Sequence, residues 1–163
     1  MTGEANDIRM ATPDDADAIA AIHVAAWAET YTGLLPAVEL TKIERATRRG
    51  WWAAALGRGG TRVALAPGLG FAAVGPQRDA RLAPRYPREL HALYLLAPAH
   101  GTGLGRRLFD RAAGDGPLSA FVLDGNARAI RFYEKTGARF VERRKLGDGW
   151  PDDLLYVWDR PAT

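Results

Sequence analysis

Between Glu89 and Leu108 the sequence passes from an apolar run into a turn with glycine at positions 101, 103 and 105, and a helical pattern begins inside that turn. Few architectures satisfy this order. An apolar strand that feeds a glycine-rich turn and then a helix belongs to a layered α/β fold, with helices packed back on a sheet. Glycine lets backbone N–H groups point inward with no side chain in the way. The helix start adds unpaired donors and about half a positive charge. Such a nest suits a phosphate or pyrophosphate, and Arg106 and Arg107 add charge at its rim.

The turn also excludes two common nucleotide sites. A Walker loop ends in Gly-Lys-Ser/Thr, whereas Gly105-Arg106-Arg107 stands here. The dinucleotide fingerprint needs a third glycine where Arg106 sits, and it belongs beside the first strand of a βαβ unit. The alternative is a glycine-rich turn that binds nothing.

The rest of the chain fits one α/β domain spanning 1–163. Residues 7–11 alternate as a short strand, and Thr12-Pro13-Asp14-Asp15 carries the cap, proline and acids of a helix start. Ile19, Ile22, His23, Ala26 and Trp27 recur at helical spacing. A second helix is predicted over 38–56, with Leu40, Ile43, Trp51 and Leu56 facing the core. Strands follow at 61–66 and 69–74, then an exposed loop rich in proline and arginine at 75–88, and a strand at 89–96. The remaining elements are a helix at 104–113, a strand at 117–123, a helix at 126–136 stopped by Gly137, and a strand pair at 138–145 and 154–158. The order predicts helices on a mixed sheet.

Composition narrows the chemistry. Zero cysteines exclude disulfides, zinc–thiolate sites and thiolate nucleophiles. His23, His91 and His100 are the three histidines, too few to suggest a metal site. No apolar run reaches the length of a membrane span, so no membrane partner and a cytoplasmic location are expected. The net charge of +3 is spread over dispersed arginines, which suits a small anionic ligand better than nucleic acid.

A second motif follows the strand at 117–123. Asn126-Ala-Arg-Ala129-Ile-Arg-Phe132-Tyr133-Glu-Lys-Thr-Gly137 opens a helix on asparagine and places an aromatic pair before the terminating glycine. With the first motif, it resembles the GNAT family of coenzyme A-dependent N-acetyltransferases. That family carries an Arg/Gln-x-x-Gly-x-Gly/Ala turn after its fourth strand and an Asn-x-x-Ala-x-x-Phe-Tyr-x-x-x-Gly helix after its fifth. Ile22-His23-Val24-Ala25-Ala26-Trp27 and Tyr31-Thr32-Gly33-Leu34-Leu35-Pro36 extend the resemblance over most of the chain. It implies a mixed, mostly antiparallel twisted sheet of about seven strands flanked by about four helices and splayed between the fourth and fifth strands.

The resemblance further implies acetyl-coenzyme A as cosubstrate, no metal, and a primary amine on a small molecule or peptide as acceptor. Leu93, Tyr94 and Leu95 match strand residues whose backbone pairs with the pantetheine arm and the acetyl carbonyl. His100, Gly101, Thr102, Gly103, Leu104, Gly105 and Arg106 match the pyrophosphate turn, and Asn126 matches a side chain that bonds the pantetheine. His100 departs from the usual arginine or glutamine, which makes coenzyme affinity sensitive to pH. Tyr133 matches the phenol beside the thioester sulfur, a general acid for the leaving thiolate; it also reads as a core aromatic beside Phe132. The amide of Leu95 is the expected donor to the carbonyl oxygen. Strand alternation puts Glu89 and His91 on the face of Leu93 and Leu95, and either is a candidate base for the incoming ammonium. Trp27 and Tyr31, at the end of the first helix, are candidate acceptor contacts. With no cysteine, direct transfer in a ternary complex is expected over an acyl-enzyme. A non-catalytic acyl-coenzyme A-binding module is the alternative reading, and Trp150 with the terminal strand pair offers material for a homodimer.

Overall fold

The computed structural model describes residues 7–161. The chain runs β1 (Arg9–Met10), a 3-10 turn (Pro13–Asp15), α1 (Ala16–Tyr31), α2 (Ala37–Leu40), α3 (Arg45–Arg58), β2 (Arg62–Ala66), β3 (Gly70–Pro76), β4 (Arg88–Leu95), a second 3-10 turn (Ala97–Ala99), α4 (Leu104–Ala113), β5 (Leu118–Leu123), α5 (Ala127–Lys135), β6 (Arg139–Arg144) and β7 (Asp153–Trp158). The seven strands form one sheet in the order β1-β2-β3-β4-β5-β7-β6. Every pairing is antiparallel except β4 with β5. That parallel pair is registered only at Glu89 and Ser119, and beyond this point the two strands part.

Each face of the sheet is sealed separately. Leu104, Leu108, Phe109 and Ala112 of α4 and Tyr133 of α5 pack on one face, against Ala72, Val74, Val122 and Trp158. On the other face Ile19, Ala20 and Ile22 of α1 and Trp52 of α3 cover Val63, Leu65, Phe71 and Ala73. Burying a side chain of this size contributes about 1.5–3 kcal/mol.

The helix expected over 38–56 is two helices, separated by residues 41–44. The break turns Ile43 inward and restarts the helix from Glu44. Restarting shifts the phase by about one position. Trp52, 1% exposed, therefore takes the core position predicted for Trp51, which is 41% exposed. The loop between β3 and β4 also differs from expectation. It carries Tyr86, 5% exposed, onto Leu155 and Val157, so it covers the sheet rather than standing off it.

A bulge in β4 changes which residues share a face. Ala73 sits opposite Ala92 but Val74 sits opposite Leu90, leaving His91 as an extra residue. Leu90, Leu93 and Leu95 consequently all pack towards α4, whereas Ala92 and Tyr94 pack towards α1. Glu89 faces the α1 side, opposite Gly75. The expected grouping of Glu89 and His91 with Leu93 and Leu95 is thus corrected. The His91 ring lies across Gly75, where an added Cβ would come within 2.6 Å of it, so any side chain there would have to displace the ring.

Candidate active site

Where β4 and β5 diverge, a cavity of about 430 Å³ opens through the sheet. Leu93 and Leu95 form one wall, Phe121 to Leu123 the other, and Tyr31, Asn126, Tyr133 and Asp153 close its ends. The backbone of the β4 wall is open except at the Leu95 carbonyl, which the His100 ring engages. The Leu96 amide bonds the Leu69 carbonyl, so by antiparallel alternation the peptide groups of Leu95 and Leu93 point away from β3 and into the gap. Tyr94 is opposite in both respects: its backbone is tied into the β3 ladder, and its ring enters the cavity from the α1 side.

At one end of the cavity the chain turns into α4. Gly103 holds a left-handed conformation at φ 84°, and α4 begins at the next residue. The hydroxyl of Thr102 donates to the Ala99 carbonyl and accepts the Leu104 amide, fixing the turn. Gly101, Thr102 and Gly103 form its exposed tip, and Gly105 lines the cavity. Leu104 is a core residue, 1% exposed. Arg106 is held by Asp110 one turn along the helix. His100 points back to the strand. Its Nε2 lies 3.0 Å from the Leu95 carbonyl oxygen, which can only accept, so this nitrogen carries the proton.

Asn126 caps α5 by accepting the Ala129 amide at 3.3 Å, and its side chain also borders the cavity. This cap aims α5 so that Tyr133 reaches the cavity two turns later. Tyr133 is 6% exposed and packs edge-on against Trp158 at 5.1 Å. Burial, more than any neighbouring charge, holds its phenol above the ordinary value of 10. It is a protonated donor throughout the neutral range.

The candidate bases have different surroundings. Glu89, 2% exposed, accepts the Arg78 amide at 3.1 Å and two guanidinium bonds at 3.2 and 2.6 Å. It is absent from the cavity lining. His91 does line the cavity, and its Nε2 donates to the Pro76 carbonyl at 2.9 Å. Burial, then the Arg78 charge, lowers its pKa. Trp27 packs edge-on against Tyr31 at 4.6 Å, and only Tyr31 of the two reaches the cavity. His23 is buried, accepts the Trp52 indole N–H at 3.2 Å and stacks on Tyr94 at 5.0 Å. Sequence reasoning missed Glu29 and Asp153, which also line the cavity. Asp153 follows a turn rich in glycine and aspartate and carries no local signal of being more than a turn acid. Among the described residues no cluster of side chains suited to a metal ion is present.

The acetyltransferase (GNAT) family profile matches residues 17–138, three-quarters of the chain and nearly all of this site. The chain belongs to that family. An uncharacterized N-acetyltransferase of Bacillus subtilis, YuaI, is 27% identical, the match covering 89% of this chain and 92% of that protein. Solved structures superpose over most of the chain. The structure of yncA from Salmonella typhimurium with its cofactor acetyl-CoA matches with a TM-score of 0.70 and 22% identity, covering 96% of this chain and 95% of the other. An N-acetyltransferase of Thermoplasma acidophilum with coenzyme A matches with a TM-score of 0.73 and 16% identity, covering 94% and 99%. A GNAT sheet is thus the frame on which the β4–β5 cavity is built, and no described helix is long and apolar enough to cross a membrane.

Proposed function

We propose that the protein transfers the acetyl group of acetyl-coenzyme A directly to a primary amine in a ternary complex. The observation that carries this reading is the cavity itself, where the open β4 edge and the buried Tyr133 phenol face one another across the split sheet. In this reading the pyrophosphate lies on the turn of Gly101, Gly103 and Gly105. The pantetheine runs along Leu93 and Leu95 as an added strand, reached by Asn126 from the β5 side. Leu95 donates its amide to the thioester carbonyl as charge builds on that oxygen. Tyr133 protonates the departing thiolate and takes up a proton released by the acylated nitrogen. The chain has no cysteine to carry an acyl intermediate.

Free-thiol release from acetyl-coenzyme A, followed with a panel of primary amines, tests the assignment directly. Amine-dependent release supports transfer. Stabilisation by coenzyme A in a thermal-shift titration with no release from any amine would support the non-catalytic binding module instead.

A further inference from the structure

Asp153 stands at the first position of β7, paired with Leu123 on one side and Arg144 on the other. Leu154, Tyr156 and Trp158 pack towards α4 and α5, whereas Leu155 and Val157 pack beneath Tyr86 on the opposite face. By alternation Asp153 belongs to the second set. It therefore enters the cavity from the face that also carries Glu89 and His91, while Tyr133 enters from the other.

The charges around Asp153 are already committed. Arg144 bridges Asp79 and Glu142 and lies over the Phe121 ring at 4.4 Å. Arg78 is taken by Glu89. His91 donates to a backbone carbonyl, and Glu29, on α1, adds a second carboxylate to the lining. The phenols of Tyr31 and Tyr133 are near enough for the Asp153 charge to raise their pKa. Among the described residues no hydrogen bond or ion pair occupies the Asp153 carboxylate, the Arg143 guanidinium next to it being taken by Asp124 and Asp152. The carboxylate thus faces the cavity with its acceptor sites open to whatever enters, and a cationic donor is the complement of a carboxylate.

Resting on the transfer reading above, we propose that Asp153 seats the acceptor's ammonium group and takes its proton. The ammonium gives one proton to the Asp153 carboxylate and the nitrogen lone pair is freed. The C–N bond then forms as the C–S bond breaks. Tyr133 passes its phenolic proton to sulfur and regains one from the acylated nitrogen, and the Asp153 acid later releases its proton to water. Base and acid thus work from opposite faces of the split sheet, so the two proton transfers do not compete for one position. Burial, more than the opposing Arg144 charge can offset, places the Asp153 pKa at about 6, closer to an amine's than an exposed carboxylate would be.

The test uses the whole chain saturated with coenzyme A and 1,4-diaminobutane as the calorimetric probe, at pH 5 and pH 8. Binding should tighten at least ~10-fold from pH 5 to pH 8 in the wild type and lose that dependence in Asp153→Asn. Asp153→Glu should restore part of it, which a merely structural role would not predict. Equal affinities for the wild type and Asp153→Asn at pH 8 would overturn the assignment. Where the amine panel supports turnover, kcat/KM of Asp153→Asn should fall ~100-fold and lose its acid limb near pH 6, with coenzyme A affinity unchanged. An intact acid limb in Asp153→Asn would likewise overturn it. A wild type that releases no thiol with any amine overturns the transfer reading alone, and the calorimetric comparison still decides for or against the ammonium site.

Discussion

Tyr133 and His23 are both buried residues with polar side chains, and their surroundings give them opposite tasks. Tyr133 borders the cavity and keeps its proton because burial disfavours the phenolate. Tyr133→Phe keeps the ring against Trp158 and removes only the donor. We expect kcat to fall by about 10²–10⁴, with coenzyme A affinity and Tm nearly unchanged; a kcat within about twofold of wild type would make it a packing residue. His23 is held neutral instead, its pKa lowered to about 4 chiefly by burial and then by Arg48. The unfolded chain binds a proton here near pH 6.5 and the folded one does not, so the stabilisation is complete above that pH and is lost as pH falls towards 4. The full shift corresponds to about 3 kcal/mol. Urea unfolding at pH 7.5 and pH 4.5 should show a loss of this order in the wild type and a smaller one in His23→Gln, which cannot titrate.

At the scale of single elements, the turn into α4 and the bulge in β4 decide where ligand chemistry can occur. Gly103 has open space around an added Cβ, yet its φ of 84° disfavours any side chain. Gly103→Val should therefore remain folded, lose about 1–2 kcal/mol of stability from backbone strain, and block the approach of a pyrophosphate. Urea unfolding with a coenzyme A titration separates the two effects, and unchanged affinity in the folded variant would remove the turn from the binding site. The helix at 104–113 was legible because glycine punctuates it at both ends and its apolar spacing is strict. The β4 bulge was not legible. It depends on how Val74 registers against Leu90 across the hairpin, and nothing between Glu89 and Leu95 departs from an ordinary strand pattern.

For the molecule as a whole, the loop between β3 and β4 holds together the two halves of a sheet that splits at its centre. Gln77 donates to Ser119 of β5 at 2.6 Å, Arg78 pairs with Glu89 of β4, and Asp79 pairs with Arg144 of β6. Tyr86 donates to Asp159 beyond β7 at 2.5 Å. These bonds bridge a gap that the ladder leaves open after Glu89 and Ser119. Arg78→Ala would leave the Glu89 carboxylate buried without its main partner, a change that typically costs about 3–5 kcal/mol. The lower end of that range is expected, since Arg78 is itself exposed to water. Chemical denaturation should register it, and Glu89→Gln in the same background should recover part of the loss.

Local patterns by themselves determined the strand order along the chain, the glycine turn, the Asn126 cap and the position of Tyr133 in its helix, because each depends on neighbours within one or two turns of chain; the break between α2 and α3 escaped them. Tertiary structure alone decided that Trp52 rather than Trp51 is buried, that Glu89 and Leu95 face opposite ways, and that a proline-rich loop straps the sheet. It also decided that Asp153, twenty residues beyond Tyr133, meets it across one cavity. These outcomes depend on strand register and on charges brought together from distant segments, and the energy of a buried carboxylate is set by what surrounds it in space rather than by what precedes it in the chain.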